Sequence, residues 1–115
     1  MVLAVAYDEV LAGRIRELLG SEEGVTEMRM FGGLAFLVGG NMAIAASRAG
    51  GVLVRVDPER SESLVATTPA RQAIMGGRPM TGWLRVASED LRIQRQLEGW
   101  VTLGLDYARS LPKKP

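Results

Sequence analysis

The segment Met30-Phe-Gly-Gly-Leu-Ala-Phe-Leu-Val-Gly-Gly-Asn-Met42 is an uncharged apolar run that paired glycines interrupt twice. As a helix, the uncharged residues 30–47 would extend roughly 27 Å, close to the thickness of a bilayer core. Paired glycines and Asn41 are poor residues for a helix interior, however. Gly39 and Gly40 readily adopt the positive φ that tight hairpin turns require. The segment therefore predicts a β-hairpin in a buried sheet, and we expect no membrane association.

The residues around this hairpin predict further strands of the same sheet. From Val25 onward polar and apolar residues alternate with the period of a strand, which places Met28 and Met30 on one face and Phe31 on the other. The first Gly-Gly pair is interpreted as a bulge or a sharp bend in one long strand that resumes at residues 34–38. Other strands are predicted at 42–47, 52–56, 71–75 and 82–86.

Three helices are predicted around these strands. Residues 7–20 place their apolar side chains on one face, with acidic residues in the first turn. Asp57 followed by proline is a typical helix start, and this short helix extends to about residue 66. Ser88 is predicted to cap a final helix that ends near Ser110. The predicted order is α-βββ-α-ββ-α, an α+β two-layer sandwich in which helices pack on a mainly antiparallel sheet.

The composition indicates one ordinary globular domain over residues 1–115, with a mass of 12.4 kDa. Histidine and cysteine are both absent, which excludes Ser-His-Asp and Cys-His nucleophile systems and zinc sites built on those residues. The lack of disulfides fits a reducing compartment, so we expect a cytoplasmic protein. We also expect no enzymatic activity, with no catalytic residues, no metal site and no cofactor.

Two patterns have both a functional and a simpler structural interpretation. None of the Gly-Gly pairs matches a phosphate-binding motif, so turn geometry explains them better, although an anion site beside Arg78 remains an alternative. The carboxylate pairs at 8–9, 22–23 and 89–90 are better explained by helix starts and a loop than by catalysis or metal binding.

Arginine accounts for twelve of the fourteen basic residues. Arginine recognises phosphates and carboxylates through bidentate contacts, which would suit nucleic-acid binding. A formal net charge of +1 argues against a protein whose main task is to neutralise nucleic-acid phosphates. The arginine excess is therefore interpreted mainly as the composition of a GC-rich genome.

Two motifs resemble those of a known family. Arg29-Met-Phe-Gly-Gly-Leu-Ala-Phe36 and Gly77-Arg-Pro-Met-Thr-Gly-Trp83 are similar to the N-terminal domain of the bacterial TfoX (Sxy) competence regulators, and the similarity continues through Trp100. The resemblance implies a secretion-chaperone-like sandwich and a role in regulating late competence genes through contacts with the transcription machinery. Full-length regulators carry a second, C-terminal domain. This chain ends at Pro115 and is expected to be a stand-alone, single-domain member.

The favoured interpretation is a non-enzymatic regulatory domain that acts through protein–protein contact, either with a protein partner or with a second copy as a homodimer. The candidate interaction surface consists of Arg29, Phe31, Arg55 and Arg78. One alternative is a nucleic-acid-binding accessory domain in transcription regulation, which predicts a basic stripe on the folded surface. The other is a small-ligand-binding domain in which Tyr7, an arginine and a carboxylate converge in a pocket.

Overall fold

The computed structural model describes residues 7–30 and 32–114. Its six strands form one antiparallel sheet in the order β1-β2-β3-β4-β6-β5, which confirms the predicted α+β class. Within the described ranges, no helix combines the length and the apolar content that a membrane crossing requires. The elements are α1 (Glu9–Leu18), β1 (Val25–Met30), β2 (Gly33–Val38), β3 (Asn41–Ala46), β4 (Val52–Arg55), α2 (Ser61–Thr67), β5 (Arg71–Met75), β6 (Arg78–Val86) and α3 (Gln94–Ser110).

The first Gly-Gly pair reverses the chain instead of bending one long strand. Met30 pairs directly with Gly33, so β1 and β2 form a hairpin, and the prediction of a single strand is wrong. Gly32 has a φ of +78°, which suits a tight reversal. A Cβ at position 33 would collide with the carbonyl oxygen of Ala46 in β3, so only glycine allows β2 and β3 to approach this closely. The observed order is α-ββββ-α-ββ-α.

The last hairpin also differs from its prediction. The strand expected at 82–86 begins earlier, at Arg78, and Gly82 lies inside β6 with a φ of +88°. The ladder between β5 and β6 shifts register between Gln72 and Ile74, and Gln72 Nε2 donates to the carbonyl of Met80. An irregular ladder of this kind tolerates a glycine that would interrupt a regular strand.

Two aspartates begin helical segments as the sequence predicts. The Asp8 side chain accepts a hydrogen bond of 3.0 Å from the backbone N–H of Leu11 and caps α1. Asp57 accepts one of 2.9 Å from the N–H of Glu59, at the start of a short 3-10 turn that leads into α2. Each carboxylate satisfies a backbone donor that the first turn would otherwise leave without a partner.

Ser88 does not cap the final helix. Its Oγ accepts a hydrogen bond of 2.9 Å from the backbone N–H of Gly51, in the turn between β3 and β4. A 3-10 turn over Ser88–Leu91 then intervenes, and α3 begins only at Gln94 without a side-chain cap. The predicted cap is wrong because the serine satisfies a donor in a neighbouring turn rather than one in its own helix. The predicted end near Ser110 is confirmed.

The main core lies between α1, α3 and one face of the sheet. Leucine, valine and isoleucine side chains alternate along the central strands, and they form one core cluster with apolar residues of the helices. The larger side chains in this core include Ile15, Phe36, Ile44, Val54, Leu84, Leu97 and Trp100. We refer to this side of the sheet as the helix face.

Candidate interaction surfaces of the sheet

The opposite side of the sheet carries a second apolar cluster built only from strand residues. Its buried members are Ala35, Leu37, Met42, Ala45, Leu53 and Ala73. Four larger side chains pack against them while remaining partly exposed, namely Met30, Met75, Met80 and Trp83. No described residue of α1, α2 or α3 contributes to the cluster, so within the described ranges this side has no covering helices, unlike the helix face.

Strong curvature of the sheet brings this second cluster together. Met30 belongs to the edge strand β1, whereas Ala73 and Met75 belong to β5 at the other edge. In a flat six-stranded sheet the two edges would lie about 24 Å apart, too far for Met30 and Met75 to line one pocket of about 410 Å³, as they do. The sheet therefore curls around its uncovered side, which we call the concave face. Irregularities in the β2–β3 and β5–β6 ladders supply the bending.

A pocket of about 410 Å³ opens on the concave face. Met42, Ala45 and Leu53 form its apolar floor, and Met30 and Met75 contribute from the two edge strands. This volume is within the usual range for small-molecule sites. We call it the concave pocket.

Arginine side chains line the polar rim of the concave pocket. Arg85 donates from Nη1 to Ser47 Oγ at 3.0 Å, and both residues line the pocket together with Arg48. A Cβ at position 32 would lie 2.6 Å from Cδ of Arg48, so Gly32 leaves the space that this side chain occupies. Arg71 is directly opposite Arg85 on the neighbouring strand, which places two like charges side by side.

Neither the rim arginines Arg48 and Arg85 nor the neighbouring Arg71 has a carboxylate partner in the described part of the chain. No described acidic residue lines the concave pocket. An adjoining groove includes Glu89 and Asp90 beside Arg71 and Arg85, but no described oxygen of either acid lies within 4.0 Å of an arginine nitrogen. The rim therefore has a local excess of positive charge over an apolar floor.

The outer side of β1 is a second candidate surface. Residues 26–29 are all exposed, and Met28 retains 52% of its accessible surface. Among the described strands β1 pairs only with β2. Gly39 donates its N–H to the carbonyl of Gly24, so the even-numbered residues of β1 direct their backbone groups toward β2. The N–H and C=O groups of Val25, Glu27 and Arg29 consequently point outward.

An ion pair joins this edge strand to the helix layer. Arg16 of α1 donates from Nε and Nη2 to the two carboxylate oxygens of Glu27, at 2.6 Å and 2.8 Å. The hydrogen bond from Arg16 lowers the pKa of Glu27 below its ordinary value, against the opposing effect of desolvation, and the same contact raises the pKa of Arg16. Arg29 lies two residues further along the same face of β1 and is exposed.

Arg55 is held between two aromatic rings at another place on the sheet. Its guanidinium carbon lies 5.1 Å from the ring centroid of Trp83, which is directly opposite on β6. It also lies 5.6 Å from the ring centroid of Tyr107 in α3. Both distances fall within the range of cation–π attraction.

The four residues of the predicted interaction surface have different positions. Arg29 is opposite Leu34 of the helix-face core, so it lies on the helix face of the β1 edge. Arg55 is opposite Trp83 of the concave cluster, and its guanidinium also lies near Tyr107 of α3. Arg78 is exposed where β6 begins, and Phe31 lies outside the described residues. Strands β2 and β3 lie between the strand of Arg29 and that of Arg55, so these two residues are not neighbours. Whether any of the four binds a partner stays a prediction.

Several acidic residues have structural contacts. In the ranges 7–30 and 32–114 no three His, Cys, Asp or Glu side chains are grouped as a metal site would require. Asp8 caps α1, and Glu22 forms an ion pair of 3.3 Å with Arg109 of α3. Tyr7 packs against the helix-face core and does not line the concave pocket, so the predicted combination of Tyr7 with an arginine and a carboxylate does not occur there.

The sequence interpretation missed the arginines at the rim. Arg85 alternates with Leu84 and Val86, which identifies it as a strand residue on the side opposite the main core. Its position beside Arg71 depends on the β5–β6 register, and its position beside Ser47 depends on the curvature of the sheet. Neither property has a signal in a single sequence, so an interpretation based on composition could not separate these arginines from the rest.

Residues 17–108 match the family model of the TfoX N-terminal domain. The matched range begins within α1, includes all six strands and ends near the end of α3, so it covers most of the chain. No curated protein and no solved structure matches the chain. The match agrees with the two motifs at residues 29–36 and 77–83 that resemble this family.

Proposed function

Because the chain belongs to the TfoX N-terminal domain family, we propose that it is a non-enzymatic regulatory domain that acts through protein–protein contact. The family supplies the context, a domain like that of the competence regulators. The contact that the geometry supports best is with a second copy of the same chain, paired along the outer side of β1.

The supporting observation is the charge pattern of this edge. If two β1 strands pair in antiparallel fashion about a two-fold axis at Met28, Glu27 of each copy is opposite Arg29 of the other. Both residues lie on the helix face of the strand, so the pairing places opposite charges side by side twice. The outward backbone groups of Glu27 and Arg29 are also the ones that such a pair exchanges.

Met28 adds burial of apolar surface to the charge complementarity of the proposed pairing. It is one of the few large apolar side chains that the described part of the domain leaves exposed, at 52%. In the proposed dimer the two Met28 side chains are opposite each other at the two-fold axis, where each removes apolar surface of the other from water. An edge strand with its backbone groups open to solvent is also a general template for strand addition.

The dimer is expected to be weak. A contact limited to one six-residue strand from each copy lies at the low end of interface sizes. A weak, concentration-dependent dimer suits a regulatory domain, because the same edge then remains available to a strand of another protein.

Sedimentation velocity over a wide concentration range tests the proposal. We expect the wild-type sedimentation coefficient to rise with concentration, and Arg29→Pro to remain a monomer. Proline removes an outward N–H of β1 and leaves the bonds from β1 to β2 in place. Arg29→Ala separates the contribution of the side chain from that of the backbone N–H. Because it retains the N–H, it should dimerise more weakly than wild type but more strongly than Arg29→Pro.

The matched control is Arg60→Ala, which replaces an exposed arginine in the 3-10 turn before α2. It should dimerise like the wild type. A wild-type protein that is monomeric at every concentration would overturn the proposal, and so would a folded Arg29→Pro variant that dimerises as strongly as the wild type.

A further inference from the structure

We infer that the concave pocket binds a small amphipathic carboxylate, with its apolar chain over the floor and its carboxylate at the arginine rim. This site is separate from the outer side of β1, and its ligand is a small molecule rather than a protein. A test of ligand binding at this site is therefore independent of a test of the proposed dimer.

The floor of the pocket has the properties of a site for a flexible apolar chain. Met42, Ala45 and Leu53 present apolar atoms from the two central strands β3 and β4. Met30 and Met75 flank this floor from the two edges of the sheet. Methionine side chains are unbranched and adapt their shape to a ligand, so a pocket rich in methionine accepts chains of varied shape.

The rim has the properties of a site for one anionic head group. Arg85 uses Nη1 to hold Ser47, and its other guanidinium nitrogens form no hydrogen bond with described protein atoms. These nitrogens form a planar fork that matches a carboxylate in a bidentate contact. Arg48 lines the same rim, so a carboxylate there would meet a second cation.

The repulsion between Arg71 and Arg85 favours the binding of an anion. Arg71 and Arg85 are directly opposite each other on neighbouring strands, an unfavourable arrangement of like charges, and neither forms an ion pair with Glu89 or Asp90 of the adjoining groove. A carboxylate bound at Arg85 would offset this repulsion. Binding of the ligand should therefore raise the thermal stability of the domain as well as fill the pocket.

An isolated carboxylate explains the pocket better than a nucleic-acid strand does. A strand would need a series of cations along its phosphates, together with aromatic surfaces on which bases stack. Among the residues that the structure describes, the lining of the concave pocket has arginine only at positions 48 and 85 and contains no aromatic residue. Its remaining lining is apolar apart from Ser47 and backbone atoms, which suits a hydrocarbon chain with one charged end.

Isothermal titration calorimetry with sodium decanoate, below the concentration at which it forms micelles, provides the test. We expect saturable binding of decanoate. Decanol keeps the chain without the charge, and acetate keeps the charge without the chain, so each should bind about tenfold or more weakly. Equal binding of decanol and decanoate would overturn the role of the rim, and equal binding of acetate would overturn the role of the floor.

Two variants locate the site, and a third is the control. Arg85→Met retains the apolar stem and removes the charge, so we expect it to bind decanoate about tenfold or more weakly. Ala45→Leu fills the floor and should weaken binding without altering the charge. The control, Arg60→Met, makes the same change at an exposed position outside the pocket and should bind like the wild type.

Thermal unfolding of each variant shows whether it is folded. Decanoate should raise the unfolding temperature of the wild type and of Arg60→Met but not that of Arg85→Met. Equal decanoate affinity of Arg85→Met and Arg60→Met would overturn the inference. Displacement of decanoate by a short oligothymidylate would also overturn it, because the rim arginines would then serve a nucleic acid.

Discussion

Gly104 of α3 packs directly against the carbonyl group of Ala43, the residue of β3 that has no partner in the β2 ladder. The register of the β2–β3 ladder shifts at this point, so Ala43 is an extra residue in its strand. Both Ala43 and its neighbour Ile44 belong to the helix-face core. A bulge in the sheet and a glycine in the helix thus allow α3 to approach the strand backbone closely.

This contact predicts opposite effects for two Gly→Ala substitutions in α3. A Cβ at position 104 would overlap the Ala43 carbonyl, so Gly104→Ala should lower the free energy of unfolding by about 2 kcal/mol or more. A Cβ at position 99 would meet nothing within 4 Å, so Gly99→Ala should raise it by about 0.5–1 kcal/mol through helix propensity. Urea unfolding followed by circular dichroism measures both changes. Similar effects of the two substitutions would contradict the close approach.

The elements that the sequence predicts well are those in which one face is buried throughout. α1 and the end of α3 follow from apolar residues at helical spacing, and β4 follows from the alternation of Val52, Val54 and Val56 with other residues. These periodicities arise directly from burial in one core. The α+β class could therefore be predicted from local pattern alone.

The features that were missed depend on pairing between distant segments. The residues before and after the first Gly-Gly pair show the same strand pattern whether this pair forms a bulge in one strand or a reversal between two strands. Only the pairing of Met30 with Gly33 shows that it is a reversal. The sequence around Ser88 predicts a helix cap, but its hydroxyl accepts a hydrogen bond from the N–H of Gly51, which is distant in sequence. The concave pocket combines residues from both sheet edges and has no counterpart in any local pattern.

The position of Arg55 predicts a contribution to stability. Its guanidinium group lies close to the rings of Trp83 and Tyr107, and the side chain is only partly exposed. Arg55→Met retains most of the apolar stem but removes the charge, so it should lower the free energy of unfolding by about 1 kcal/mol. Arg78→Met is the exposed control and should change it by less than about 0.5 kcal/mol. Equal effects in urea unfolding would show that the two rings do not stabilise Arg55.

The Arg16–Glu27 ion pair predicts a pH dependence of stability. The pKa of Glu27 is lowered in the folded state, mainly by the hydrogen bond from Arg16. The pair therefore stabilises the fold fully above the ordinary carboxyl pKa of 4.5 and loses this effect as the pH falls below that value. We expect the wild type to exceed Glu27→Gln in urea midpoint at pH 7 and this difference to disappear in strong acid. Because both side chains are substantially exposed, the difference should also shrink in high salt.

The self-complementary charges of β1 predict that two variants that each dimerise poorly will form a heterodimer when they are mixed. In the proposed dimer, Arg29→Glu places two acidic residues opposite each other at both contacts, and Glu27→Arg places two basic residues there. Each variant alone should be more weakly dimeric than the wild type, because like charges directly opposite each other destabilise a strand pair. In an equimolar mixture every contact again joins an acid to an arginine, so a heterodimer should form.

Sedimentation of the separate variants and of the mixture measures this recovery, with one component fluorescently labelled. Glu27→Arg also loses the ion pair with Arg16, so its fold is checked by circular dichroism before mixing. A mixture of Arg29→Glu with the wild type is the control, because it restores only one of the two contacts and should associate less than the complementary mixture. If the complementary mixture associates no better than either variant alone, Glu27 and Arg29 do not meet across a two-fold axis, and the partner of β1 is not a second copy in this register.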